Sequence, residues 1–180
     1  MVFGKLREPQ KGKDVMKTVA LMPMKGVSER VPNKNMRLFN GNPLCSYMLD
    51  LLCSSRSIDL VVVNTDSEEI EAFLRSEYPK VRVLKRPDSL LGHDISMNKI
   101  IEYDLSMVRG DIIIQTHSTN PLLRRATLES AIQKFRALES SYDSLFSVTR
   151  YQTRFFSDSG EPINHNPEVL IKTQDLPFVY

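Results

Sequence analysis

Four cations, Lys25, Arg30, Lys34 and Arg37, fall within thirteen residues, with a single acidic residue, Glu29, among them. Gly26 and Ser28 permit a tight turn in this stretch and offer backbone N–H groups and a hydroxyl. Cationic side chains and open amides at the end of a strand suit a triphosphate, because both place positive charge where phosphate oxygens can reach it. Charge alone would equally describe a solvated basic loop; the position directly after a strand favours the phosphate reading. The patterns G-x-x-x-x-G-K-[ST] and G-x-G-x-x-G are both absent, which removes the main support for an ATPase or a dehydrogenase.

The elements that must position this loop alternate in type. Thr18–Met22 is a short β-rich apolar run, and Pro43–Ser54 has Leu44, Tyr47, Met48 and Leu51 at helical spacing. Leu60–Asn64 predicts a second strand, followed by a helix opening at Asp66-Ser-Glu-Glu and running to about Glu77. Val81–Leu84, Asp111–Gln115 and Ser144–Val148 predict three more strands, and 96–107 and 126–138 two more helices. Strand then helix, repeated, means parallel strands joined by crossover helices, an open-sheet α/β fold covered on both faces. Ligands of such sheets sit beyond the carboxyl ends of the strands, which singles out loops 23–38, 65–67 and 116–125. From Tyr151 onward the rhythm breaks, and Pro162, Pro167 and Pro177 predict an irregular or extended segment.

Composition narrows the classes. With 180 residues, 41% hydrophobic and 26% charged, the chain is a globular protein of ordinary domain size. A net charge of +2 argues against wholesale nucleic-acid binding, so any positive potential is local. No apolar run approaches the roughly 18–20 residues that span a bilayer. Residues 1–17, with Lys5, Arg7, Lys11, Lys13 and Lys17, have no apolar stretch behind them and read as a solvated basic tail or an appended remnant rather than a signal peptide. Cys45 and Cys53 would lie about 12 Å apart along one helix, too far for a disulfide, and are expected as two buried thiols on one helix face in a reducing cytoplasm.

Taken together, the motifs resemble a family. Lys25-Gly-Val-Ser-Glu-Arg-Val-Pro-Asn-Lys-Asn35 resembles the R-G-G-S-K-R-I-P-x-K-N signature of the acylneuraminate cytidylyltransferases, which include CMP-sialic acid synthetases. Phe39-Asn-Gly-Asn-Pro-Leu44 resembles its turn into the first helix, and Val61-Val-Val-Asn-Thr-Asp-Ser-Glu-Glu-Ile70 its V-V-V-S-T-D-D-E-E-I. Arg86-Pro-Asp-Ser-Leu90, His93-Asp-Ile-Ser96, Gln115-Thr-His-Ser-Thr-Asn-Pro-Leu-Leu123 and Ser144-Leu-Phe-Ser-Val-Thr149 follow in the family's order. The resemblance covers residues 18–149 and implies a three-layer, mostly parallel, Rossmann-like nucleotidyltransferase fold, with the cytidylyltransferase domain over 18–180 and residues 151–180 contributing to a homodimer.

The resemblance further implies transfer of CMP from CTP to a nonulosonate (sialic-acid-like) sugar acid, with release of pyrophosphate, dependence on Mg²⁺ and a cytoplasmic location. Lys25 and Lys34 would hold the phosphates as catalytic cations, assisted by Ser28 and the amides of Met24 and Gly26. Asn35 would fix the nucleotide, and Arg86 and Ser96 would face the cytidine. His117, Ser118, Thr119 and Asn120 would line the nucleotide and sugar-acid region. Phosphoryl-group transfer needs positioning and charge neutralisation more than covalent catalysis, and these residue types suit it.

Several positions depart from the family pattern. Lys25 stands for Arg, which keeps charge and loses a bidentate donor. Glu29 stands where Lys is common, His117 stands at the usual Gln with Gln115 two residues upstream, and Leu123 stands at the usual Arg. No D-x-D metal segment follows Thr149, so the expectation is a C-terminally truncated chain, the alternatives being a related transferase for another keto-sugar acid or a nucleotide-binding module without its metal site. The three histidines, His93, His117 and His165, lack zinc-ligand spacing. Asp66 is expected to cap the following helix, with a ribose or metal contact as the other reading.

Overall fold

A computed structural model describes residues 1–5, 16–92 and 94–180. Its main sheet has six strands: β1 (Val2–Lys5), β2 (Thr18–Leu21), β5 (Leu60–Thr65), β6 (Arg82–Lys85), β7 (Ile112–Gln115) and β8 (Ser144–Phe146), ordered β6-β5-β2-β7-β1-β8. A two-stranded hairpin, β3 (Leu38–Phe39) with β4 (Asn42–Pro43), precedes helix α1 (Leu44–Cys53). Helices α2 (Glu68–Glu77), α3 (Met97–Met107) and α4 (Arg125–Leu138) complete the layers. No helix among the described residues is long and apolar enough to cross a membrane.

The central strands β6, β5, β2 and β7 are parallel, and every one of them sits close to its predicted position. Alternation along each strand sends side chains to opposite faces. Ala20, Met22, Val61, Val63, Ile112 and Ile114 pack with Met48 and Leu52 of α1, Ile70 and Leu74 of α2 and Leu128 and Phe135 of α4. Val19, Leu21, Val62, Leu84 and Ile113 face the other way, toward Ile101 and Leu105 of α3. Two separate cores, one on each face, make the three-layer α/β architecture.

The order of the strands creates the crevice. From β2 the chain moves outward to β5 and β6, then returns through α3 to enter β7 on the other side of β2. The loops that leave β2 and β7 therefore diverge, and the gap between them is the switch point where open α/β sheets bind ligands.

Two expectations need correction. Residues 2–5 are not a solvated tail: β1 runs antiparallel to β7, with Phe3 opposite Ile114. Phe3 is buried and its ring stacks 5.9 Å from Phe135. Four residues are too few to show a period, yet pairing covers an otherwise open β7 edge and buries an aromatic ring. The basic positions Arg7, Lys11 and Lys13 lie outside the described residues. Truncating Phe3 to alanine should cost about 3–5 kcal/mol, readable by urea denaturation; a loss below about 1 kcal/mol would place Phe3 outside the core.

The second correction concerns the cysteines. Both are free, Cys45 buried and Cys53 exposed. Eight residues at about 100° each turn Cys53 roughly 80° away from Cys45, off the buried stripe. Burial pushes the Cys45 thiol up to about 11, so it stays protonated and inert.

Residues 146–180 form a second compact unit. Within it Tyr151 pairs with Val179 and Phe156 with Pro162 as isolated bridges, and Arg150 stacks 4.3 Å over the Phe178 ring. The Asn164 side-chain amide donates to the Thr153 carbonyl while its oxygen accepts from the Phe155 N–H. Side-chain ties of this kind hold a segment that has little regular secondary structure.

Candidate functional site

The backbone does not leave the sheet abruptly after β2. Met22 and Met24 donate to the carbonyls of Val62 and Asn64 at 2.9 and 2.8 Å, while Pro23 between them has no N–H to place. Lys25 and Gly26 then start the basic loop against the beginning of α2. The Gly26 amide donates to Asp66 Oδ1 at 2.6 Å. A Cβ on Gly26 would lie 2.7 Å from the Ser67 Cβ, so only glycine allows this approach.

Asn35 closes the loop. Its Nδ2 donates to the Lys25 carbonyl at 2.7 Å, and its Oδ1 accepts from Ser118 Oγ at 2.6 Å. The first bond joins the two ends of the basic loop, and the second joins that loop to the one after β7. Both side chains are buried, so each partner satisfies a polar group that would otherwise cost roughly 1–3 kcal/mol. Asn33 adopts a positive φ of 51° and accepts from the amides of Met36 and Arg37, making the turn that returns the chain toward the hairpin.

Between the two loops lies a cavity of about 300 Å³. Of the residues singled out above, Met24, Lys25, Ser28, Lys34, Asn35, His117, Ser118 and Thr119 line it. Val27, Glu29, Arg30 and Met97 also line it, without having been assigned to the site from sequence. Gly26, Ser96 and Asn120 are absent from the wall and adjoin residues that form it, Lys25, Met97 and Thr119. Lys25 Nζ donates to the Gly92 carbonyl at 3.0 Å, whereas the Lys34 ammonium has no hydrogen-bond or ion-pair partner among the described residues. His117 Nε2 lies 3.3 Å from Gln115 Nε2, so the two candidate positions for the family's glutamine meet side by side. Burial of its inner side, with the positive chain N-terminus and Lys34, holds the His117 imidazole below its ordinary value, and it is neutral at pH 7.

Arg86 occupies a different place from the expected one. It does not line the cavity but lies buried behind it. Its Nε donates to Asn64 Oδ1 at 2.7 Å, its Nη2 to the Met24 and Asn64 carbonyls at 3.3 Å, and its Nη1 stands 3.7 Å from Asp66 Oδ2. Nor does Asp66 cap α2. Ser67 is the N-cap, accepting from the Ile70 amide, while Asp66 ties Gly26 to Arg86. A single-residue shift separates the two roles, and periodicity does not resolve it.

Among the described residues no group of three or more His, Cys, Asp or Glu side chains gathers as a metal site. His165 packs edge-on to Phe156, and His93 lies outside the described residues.

Comparison with known proteins agrees with this geometry. A family model described as cytidylyltransferase matches residues 19–180. A pseudaminic acid cytidylyltransferase of Campylobacter jejuni is 30% identical over 177 residues, covering 92% of this chain and 75% of that protein. N-acylneuraminate cytidylyltransferase A of Danio rerio is 28% identical over 163 residues, covering 87% and 37%. The solved structure of a cytidylyltransferase from Leptospira borgpetersenii shares the fold, with a TM-score of 0.56 at 22% identity over 68% of this chain and 50% of that one.

Proposed function

The chain belongs to the cytidylyltransferase family, and we propose that its cavity binds CTP and directs CMP transfer to a nonulosonate sugar acid. The observation that carries this reading is the convergence of Lys25, Arg30 and Lys34 with His117, Ser118 and Thr119 around one cavity at the strand ends. The anomeric hydroxyl oxygen of the sugar acid would attack the α-phosphorus, forming a new P–O bond as the bond to the β-phosphate oxygen breaks and pyrophosphate leaves. Lys34 and Lys25 would offset charge on the phosphate oxygens, with the Ser28 hydroxyl assisting, while the Met24 and Gly26 amides, donated to the Asn64 carbonyl and Asp66, fix the loop. Asn35 and Ser96 are assigned to the nucleoside side, with Arg86 acting on it from behind the wall through the Met24 carbonyl, and His117, Ser118 and Asn120 to the sugar acid. A neutral His117 can both donate and accept, which suits a hydroxyl-rich substrate.

A triphosphate substrate supports a Mg²⁺ dependence, but the described residues do not themselves form a metal centre, and no step is routed through the ion. The family similarity supports a cytoplasmic location. Exposed Phe146, Ile163 and Leu170 in the second unit support a homodimer, which light scattering on the purified protein would read as twice the chain mass.

Calorimetric titration with CTP, UTP and ATP, followed by pyrophosphate release with CTP and a panel of sugar acids, tests the assignment. The panel should include pseudaminic acid, N-acetylneuraminic acid and 3-deoxy-manno-octulosonate. Tight binding of CTP alone with turnover of a nine-carbon acid is the expected result. Equal affinity for all three nucleotides, or no binding of CTP, would refute it.

A further inference from the structure

Behind the cavity wall, three polar side chains cross a sheet face that is otherwise apolar. Asn64 is 0%, Asp104 1% and Arg86 3% exposed, and the surrounding face is built from Leu21, Val62 and Leu84 under α3. Asn64 Nδ2 donates to Asp104 Oδ1 at 2.6 Å, and Asn64 Oδ1 accepts from Arg86 Nε at 2.7 Å. A buried ionic cluster is poor value as a stabiliser, since desolvation consumes most of what the Coulomb attraction returns. Its reach explains it better. Arg86 holds the Met24 carbonyl in the cavity wall and faces Asp66, which holds the Gly26 amide.

We propose that Asp104 is a positioning residue for the phosphate-handling loop, acting through Asn64 and Arg86 on Met24 and Gly26. The inference rests on the CTP reading only for what the loop binds; the mechanical link stands on the hydrogen bonds from Asp104 through Asn64 and Arg86 to Met24, and on the 3.7 Å ion pair of Arg86 with Asp66 for Gly26. Asp104 lies on α3, across the sheet from α1 and α2, and touches no part of the cavity. Its negative charge orients the Asn64 amide, so that the carbonyl end is presented to Arg86. With Asn64 turned the other way, an N–H would confront the guanidinium and push it away from Met24. The ionisable groups facing Asp104 are Arg86 and, beyond it, Asp66; the apolar side chains of β2, β5 and β6 supply no other. Burial pushes the Asp104 carboxyl up to about 6, against the lowering effect of Asn64 and Arg86, so its ionisation can be followed under native conditions.

The test follows amide resonances of the isotopically labelled protein from about pH 4.5 to about 7.5, with the Asp104 carboxyl carbon as internal reference. The Gly26 amide and the Asn64 side-chain amide should shift with the Asp104 midpoint. In Asp104→Asn that step should vanish, and CTP should bind on the order of tenfold more weakly. The pH titration needs no variant, so the link remains testable should Asp104→Asn fail to fold. A Gly26 resonance indifferent to Asp104 ionisation, or unchanged CTP affinity in the folded variant, would overturn the proposal. Failure of the wild-type protein to bind CTP would instead overturn the functional reading and leave the Gly26 result to be judged separately.

Discussion

CTP affinity is expected to fall about a hundredfold in Lys34→Ala, close to 2.7 kcal/mol, with the fold unchanged. Lys34 lines the cavity, and its ammonium has no protein partner among the described residues, so its donors are free for phosphate oxygens. Lys25 already donates to the Gly92 carbonyl, and Lys25→Ala should lose less. Removing a half-exposed cation changes stability by no more than about 0.5 kcal/mol. Titration calorimetry with CTP and urea denaturation of the same sample separate the two effects. Lys34→Arg should retain most of the affinity, because charge rather than shape does the work. Affinity within about twofold of wild type in Lys34→Ala would show that the phosphates lie elsewhere.

A second large effect is expected at Arg86. Arg86→Met keeps the volume and removes the charge, leaving Asp104 buried beside Asn64 without its cation. Breaking one side of a buried charged cluster costs about 3–5 kcal/mol, which urea denaturation at pH 7.5 would show. The pH dependence follows from the direction of the Asp104 shift. Its folded value, about 6, lies above the ordinary 3.8, so the folded state holds more protons between those limits. The Asp104 contribution to stability therefore falls as pH rises from about 4 to about 6 and is level above that. Without Arg86 the carboxyl rises further, and the decline should extend to higher pH. A loss below about 1 kcal/mol, or no change in the pH window, would mean that Arg86 does not neutralise the cluster.

The central strands are legible in the sequence because a strand buried on both faces carries a nearly continuous apolar run, as at Val61–Val63 and Ile112–Ile114. The helices are legible for a related reason: Ile70 and Leu74 of α2, and Leu128, Ile132 and Phe135 of α4, recur at helical spacing. Strand β1 is not legible, since Val2–Lys5 is short and gains its stability from tertiary neighbours, the strands β7 and β8 on either side and the Phe135 ring. The exposure of Cys53 follows from the eight-residue spacing, which turns it roughly 80° off the stripe that buries Cys45.

For the site, the sequence by itself determined that Lys25, Ser28, Lys34 and Asn35 would share one loop after a strand, because neighbours in the chain stay neighbours in space. It also placed His117, Ser118 and Thr119 at another strand end. Only the tertiary structure decided that the two loops meet. Asn35 and Ser118 are 83 positions apart and touch because β7 returns to the side of β2 opposite β5. The same return laid α3 over β5 and brought Asp104 to Asn64, forty positions away, so that Arg86 stands behind the cavity rather than in it. Local periodicity encodes which face of an element is buried; the order in which strands pair decides which buried faces confront one another, and that order depends on contacts summed over the whole sheet.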